Sequence, residues 1–284
     1  MSAPPAWSSR REFTREVERP EEEMNLARAA LLVAREEYVQ LPVDRYLLRL
    51  DLLAEETRDR LGSESVPPVV LSEAIRHLFV MRKLRGNREE YHDPRNSFLN
   101  DVLDRGLGIP LTLGIVLLEV GWRLGLPMEG VNFPGHFLVR YRGGVKRFLI
   151  DPFHGGMIRS RKEVEQILVK HQGVPARLDD RLLRTASKRD MVVRLLLNLK
   201  GIYHRAGDDA RALAAVERIL VVSPTARRQI RDRGYLLARL GRDEEAVTQL
   251  ETYLAFAPNA GDVERVEALL RDLRAGGRPL SGSS

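Results

Sequence analysis

The sequence predicts an α+β protein: a helical N-terminal region, a core with a small antiparallel sheet, then an all-α tail. Three observations carry this. Apolar residues recur at helical spacing from Met24 to about Gly86. Between Asp93 and Gly156 one long apolar helix is followed by two short alternating segments. Beyond residue 190, matched residue types recur at an interval of 34.

The helices come first. Leu26, Ala29, Ala30, Val33 and Ala34 form a stripe within a helix over Met24–Val39. Asp44 is placed to cap a second helix through Arg60, with Gly62 at its stop. Ser72 is placed to cap a third, carrying Ile75, Leu78, Phe79 and Met81 and ending near Gly86. Asp93-Pro94 then marks a turn, and Ser97 caps a short helix through Val102 and Leu103. Leu111–Leu124 is almost wholly apolar and reads as the central buried helix, ended by Gly125 and Pro127. Two strands follow, His136–Tyr141 and Arg147–Asp151, joined across Gly143-Gly144. Residues 157–189 read as a basic connector with one helix near Lys162–Lys170.

In the tail, Gly207 and Gly241, Ala212 and Ala246, Leu220 and Leu254, and Pro224 and Pro258 are each 34 residues apart. Tyr203 and Leu237 keep the same interval, which is the tetratricopeptide period. Gly suits the inter-helix turn, Ala the crossing, and Pro the end of each unit; a closing helix covers Val263–Leu273. The expected division is a disordered leader over 1–23, the helical region and core over 24–189, repeats over 190–275 and a disordered tail over 276–284.

Composition narrows the chemistry. The chain has 284 residues, 43% of them hydrophobic and 30% charged, as in ordinary globular proteins. It contains no cysteine, which removes disulfides, thiolate metal sites and thiol catalysis. No apolar run approaches the ~18–20 residues of a membrane helix, and residues 1–23 hold nothing like the ~7–15 apolar residues of a secretion signal. A cytoplasmic address, with no membrane partner, is therefore expected. The net charge of +6 comes from 46 basic residues interleaved with 40 acidic ones. Without a basic block, zinc-finger spacing or aromatic-basic signature, nucleic acid is not an expected partner. No cofactor is expected either.

The runs Asn96-Ser97-Phe98-Leu99, Gly108-Ile109-Pro110, Leu124-Gly125-Leu126-Pro127, Asn132-Phe133-Pro134-Gly135-His136-Phe137 and Ile150-Asp151-Pro152-Phe153 together resemble the bacterial SirB family. Ile230-Arg231-Asp232-Arg233-Gly234 in the tail is similar to it as well. The resemblance implies a transglutaminase-like (papain-like) core followed by tetratricopeptide repeats. In catalytic members of the wider superfamily, a helix N-terminus carries a cysteine and a strand pair supplies histidine and aspartate. The helix end lowers the thiol pKa, histidine takes the proton, and the acid orients the imidazole. Counting back from Gly125, the cysteine position falls at or next to Pro110, where nothing can attack a carbonyl. Thr112 is the nearest hydroxyl.

The histidine and acid remain. A two-residue loop at Gly143-Gly144 places His136 directly opposite Asp151, with Phe137 opposite Ile150 and Arg140 facing Arg147. Two readings follow. The pair is a structural hydrogen bond inherited from a catalytic ancestor, or a surviving general base. His154 is a further candidate, completing a His136–Asp151–His154 metal triad. Ser97 is a weaker candidate nucleophile beside its capping role. The preferred function is a non-catalytic protein–protein interaction or regulatory module whose repeat tail holds a protein or peptide. The alternative is a hydrolase or amide transferase using His136 and Asp151 with Thr112, Ser97, water or a metal.

Overall fold

The computed structural model describes residues 6–143, 148–173 and 177–276. The chain divides into two compact units, Met1–Leu195 and Leu196–Ser284. The first opens with α1 (Ala6–Glu18), α2 (Leu26–Ala34), α3 (Val43–Leu61) and α4 (Pro67–Ile75).

Helix α1 corrects the expectation of a disordered leader. Phe13 and Val17, four residues apart, form an apolar pair and are 1% and 2% exposed. Glu12 pairs with Arg35 at 2.8 Å, and Glu16 accepts the N–H of Asn25 at 2.6 Å. Two helix starts also differ from expectation. Helix α3 begins at Val43, so Asp44 lies in its first turn, where it complements the helix dipole. Helix α4 begins at Pro67, leaving Ser72 in its interior, because proline is pre-organised for the first helical position.

Helix α4 runs on into a π-helical turn, Arg76–Met81, and then β1 (Arg85–Gly86). Next come α5 (Leu99–Arg105), β2 (Leu107–Gly108) and the central helix α6 (Pro110–Arg123). Strands β1 and β2 pair in parallel. Every residue of α6 from Pro110 to Gly121 is buried, as its apolar sequence predicts. Its one buried acid, Glu119, accepts the N–H of Ala27 at 2.9 Å and so closes the N-terminus of α2.

The sheet follows: β3 (Met128–Val131), β4 (Leu138–Tyr141), β5 (Phe148–Asp151) and β6 (Met157–Arg159), then α7 (Arg161–Gln172) and β7 (Thr185–Ala186). It is antiparallel, in the order β6-β5-β4-β3-β7. Strands β3, β6 and β7 are not among the expected ones; β6 and β7, with three and two residues, are too short to show alternation. Helix α6 lies close on the start of β4. A Cβ at Gly114 would meet the Phe137 ring at 2.4 Å, so the close approach requires glycine there.

Helix α8 (Lys188–Arg205) contains the division between the two units. The second unit continues with α9 (Asp209–Val222), α10 (Arg227–Arg239), α11 (Asp243–Phe256) and α12 (Val263–Arg274). Gly207 and Gly241, at φ 71° and 73°, turn the chain after α8 and α10. Ala212 and Ala246 are fully buried, and a Cβ at Gly234 would strike Leu250 at 2.6 Å. These repeat positions therefore hold the helix pairs together. The expected disordered segment over 276–284 lies, apart from Gly276, outside the described residues. No described helix is long and apolar enough to cross a membrane.

Candidate functional site

His136 sits between β3 and β4, after a turn in which Gly135 adopts φ 64°. Asp151 is the last residue of β5 and is fully buried. His136 Nε2 lies 2.8 Å from Asp151 Oδ1. The expected register is wrong by two residues, however. Val139 pairs with Ile150, Arg140 with Leu149 and Tyr141 with Phe148, so β4 and β5 flank a longer loop than the expected two residues. Gly144 and Arg147 of that expected turn lie outside the described residues. Stacking of Tyr141 on Phe148, with centroids 6.0 Å apart, accompanies the observed register. A shift of two keeps every side chain on its face, which is why the histidine and the acid still meet. In the observed register Arg140 is opposite Leu149, and its guanidinium lies 3.3 Å from Glu129.

Asp151 is shared more widely than the sequence suggests. Its Oδ1 also accepts the backbone N–H of His154 at 3.2 Å, and Oδ2 lies 2.7 Å from His154 Nδ1. The Arg159 guanidinium donates to Oδ2 through Nε at 3.1 Å and Nη2 at 3.0 Å. Burial opposes ionisation, but the hydrogen bond and charge of His136, then those of His154, overcome it and hold Asp151 at about 2. Burial pushes His154 down, against the upward pull of Asp151. Arg159 was hidden in the segment read as a connector; pairing of β5 with β6 delivers it.

A second hidden residue fixes the histidine loop. The half-buried Arg194 of α8 donates to the carbonyls of Phe133 at 3.0 Å and His136 at 2.6 Å. Burial holds its pKa below the ordinary arginine value. It positions the His136 backbone across 58 residues of sequence, which local patterns cannot reveal.

The hydroxyl candidates fare differently. Pro110 is the first residue of α6 and lines the same cavity as His136. Thr112 Oγ1 accepts the N–H of Ile109 at 3.1 Å and donates to the carbonyl of Asn96 at 2.7 Å. Its hydroxyl therefore caps α6, and its proton is already committed. Ser97 precedes the N-cap residue Phe98 and does not cap α5; its hydroxyl is buried with no hydrogen-bond partner among the described residues. Asn96 explains the motif around it. Its amide donates to the carbonyls of Glu90 and Tyr91 at 2.6 and 3.3 Å, tying that loop to the start of α6. The ligand atoms of His136, Asp151 and His154 lie within 4.8 Å of one another, close enough to share a cation.

A buried helix N-terminus facing a His–Asp pair on an antiparallel sheet, followed by helical repeats, defines a transglutaminase-like core joined to a tetratricopeptide-type tail. The family description "Transglutaminase-like superfamily" matches residues 44–197, and "Tetratricopeptide repeat" matches residues 199–271. The chain belongs to the SirB-like UPF0162 family within that superfamily. A UPF0162 protein of Xylella fastidiosa strain Temecula1 is 37% identical over 257 residues, spanning 89% of this chain and 91% of the relative. Human F-box only protein 21 is 30% identical over 140 residues, 46% of this chain and 21% of that protein. Among solved structures, menin is matched over 96% of this chain and 76% of its own, at 11% identity and a TM-score of 0.39.

Proposed function

We propose that this protein is a non-catalytic member of the superfamily, a cytoplasmic interaction or regulatory module whose repeat tail holds a protein or peptide segment. One observation carries the reading: among the described residues, no nucleophile stands at the α6 N-terminus beside His136. Pro110 occupies the first helical position, the Thr112 hydroxyl is spent on capping, and the chain has no cysteine. Arg159 supports it further, because a guanidinium on Asp151 already neutralises the acid that would otherwise stabilise an imidazolium. Tetratricopeptide arrays commonly present concave faces to extended segments, which favours a protein partner over nucleic acid.

A second reading rests on the His136–Asp151–His154 cluster, whose spacing suits a metal-assisted hydrolase or amide transferase. Against it, Arg159 already donates twice to Asp151 Oδ2. Broad hydrolase and transamidase profiling of wild type beside His136→Ala, with and without added zinc or magnesium, separates the two. The expected outcome is no turnover that depends on His136 under either condition. A wild-type turnover lost in a folded His136→Ala protein would establish catalysis in its place.

A further inference from the structure

The cavity beside His136 measures about 730 Å³, within the ~300–1,000 Å³ typical of small-molecule sites. Its wall is basic. Arg88, Arg159 and Lys170 line it, and Glu163 is the one acidic residue among the described lining side chains. Glu163 is already engaged. Its carboxylate accepts the backbone N–H and hydroxyl of Ser160 at 2.8 and 2.6 Å, closing the N-terminus of α7, with Arg159 at 3.6 Å. Arg159 is in turn held by Asp151. Arg88 and Lys170 are different: both are exposed, and neither is among the described residues that have an ion-pair partner.

Two cations that face one cavity without an internal counter-charge make it attractive to anions. A guanidinium offers a planar fork to a carboxylate or phosphate, and an ammonium adds a mobile point charge. The remaining wall includes two aromatic rings, Tyr91 and Phe153, whose centroids lie 6.0 Å apart at 72°. We propose that this cavity binds a small anionic ligand, its phosphate or carboxylate group taken by Arg88 and Lys170 and its body lying against Tyr91 and Phe153. The site goes beyond the partner reading and does not depend on it, since neither turnover nor tail capture enters the measurement below.

The test is calorimetric titration of the full chain with inorganic phosphate, succinate and phenyl phosphate at fixed ionic strength. Wild type is compared with an Arg88→Gln/Lys170→Gln double variant and with Lys162→Gln. Lys162 is exposed on the same helix but is not a lining residue, so it reports the effect of charge alone. We expect one saturable site for at least one anion, weakened at least about tenfold in the double variant and unchanged in Lys162→Gln. Whichever of phosphate or succinate binds identifies the anionic group. All substituted residues are exposed, so the variants should keep the wild-type melting temperature. Absence of saturable binding by all three anions, or equal binding by wild type and double variant, overturns the proposal.

Discussion

Asp151 receives five hydrogen bonds from three residues, and its carboxylate is fully buried. Such an acid is expensive to lose. Replacing it with asparagine removes the charge but leaves the Arg159 guanidinium without its main partner, since Glu163 lies further off at 3.6 Å. Asp151→Asn should therefore destabilise the fold by about 2–4 kcal/mol, measured by urea unfolding near neutral pH. The sign with pH follows from its folded pKa of about 2, below the ordinary 3.8. The carboxylate's stabilisation is complete above the unfolded value and is lost as pH falls through the folded one. The penalty of the substitution should hold between pH 5 and 8 and shrink below about pH 4. A penalty that grew on acidification would show that the ionised form is not what the site holds. The acid and its histidine are legible as a pair because turn counting preserves strand parity. Arg159 and Arg194 are not, since each reaches the site through tertiary pairing.

At the scale of elements, the π-helical turn Arg76–Met81 holds His77 entirely inside the protein. Thr57 donates its hydroxyl proton to the Leu53 carbonyl at 2.8 Å, so His77 Nδ1, also 2.8 Å from that hydroxyl, must be the donor between them. Nε2 lies 3.2 Å both from Arg82 Nε, which donates to a neutral ring, and from the Glu56 carboxylate, which favours a protonated one. Burial pushes the His77 pKa down, outweighing the upward pull of Glu56. A folded value below the unfolded one means stability is complete above about 6.5 and declines as pH falls toward the folded value. His77→Gln, which keeps a donor and an acceptor, should flatten this decline when melting temperature is followed from pH 8 to 5. An unchanged slope would place the acid sensitivity elsewhere, with the similarly depressed His154 first in line. The helix itself was readable from apolar spacing. Its π-helical end was not, because an i+5 bond from Arg82 N–H to the His77 carbonyl leaves no periodic trace in one turn.

At the scale of the whole molecule, the first unit extends into helix α8. The sequence places the boundary at residue 190, yet Met191, Val192 and Leu195 are buried and belong to the first unit, as does Arg194. Helix α8 is one continuous element because nothing in Lys188–Arg205 breaks it, and its single interior glycine, Gly201, is tolerated. A chain cut after residue 189 loses those three apolar side chains and the Arg194 clamp on the His136 loop. A chain cut after Gly207 keeps them. The shorter fragment should be less stable by at least about 4 kcal/mol, a difference that thermal and urea unfolding would both register. Equal stability of the two fragments would mean that α8 adds nothing to the core.

The class of this protein is legible without coordinates. A 34-residue interval, an uninterrupted apolar helix and glycine or proline at each boundary are local signals, and local physics suffices to read them. The missing cysteine, and with it the loss of thiol chemistry, also needed no coordinates. Among the features that depend on the folded chain are the helix over residues 6–18, the shift of two in the β4–β5 register, and the bond between Asp151 and Arg159. Each depends on partners distant in sequence or on a loop whose turn type the residues do not fix. Burial and pairing energies between such partners exceed any local propensity, so they become visible only when the chain is folded.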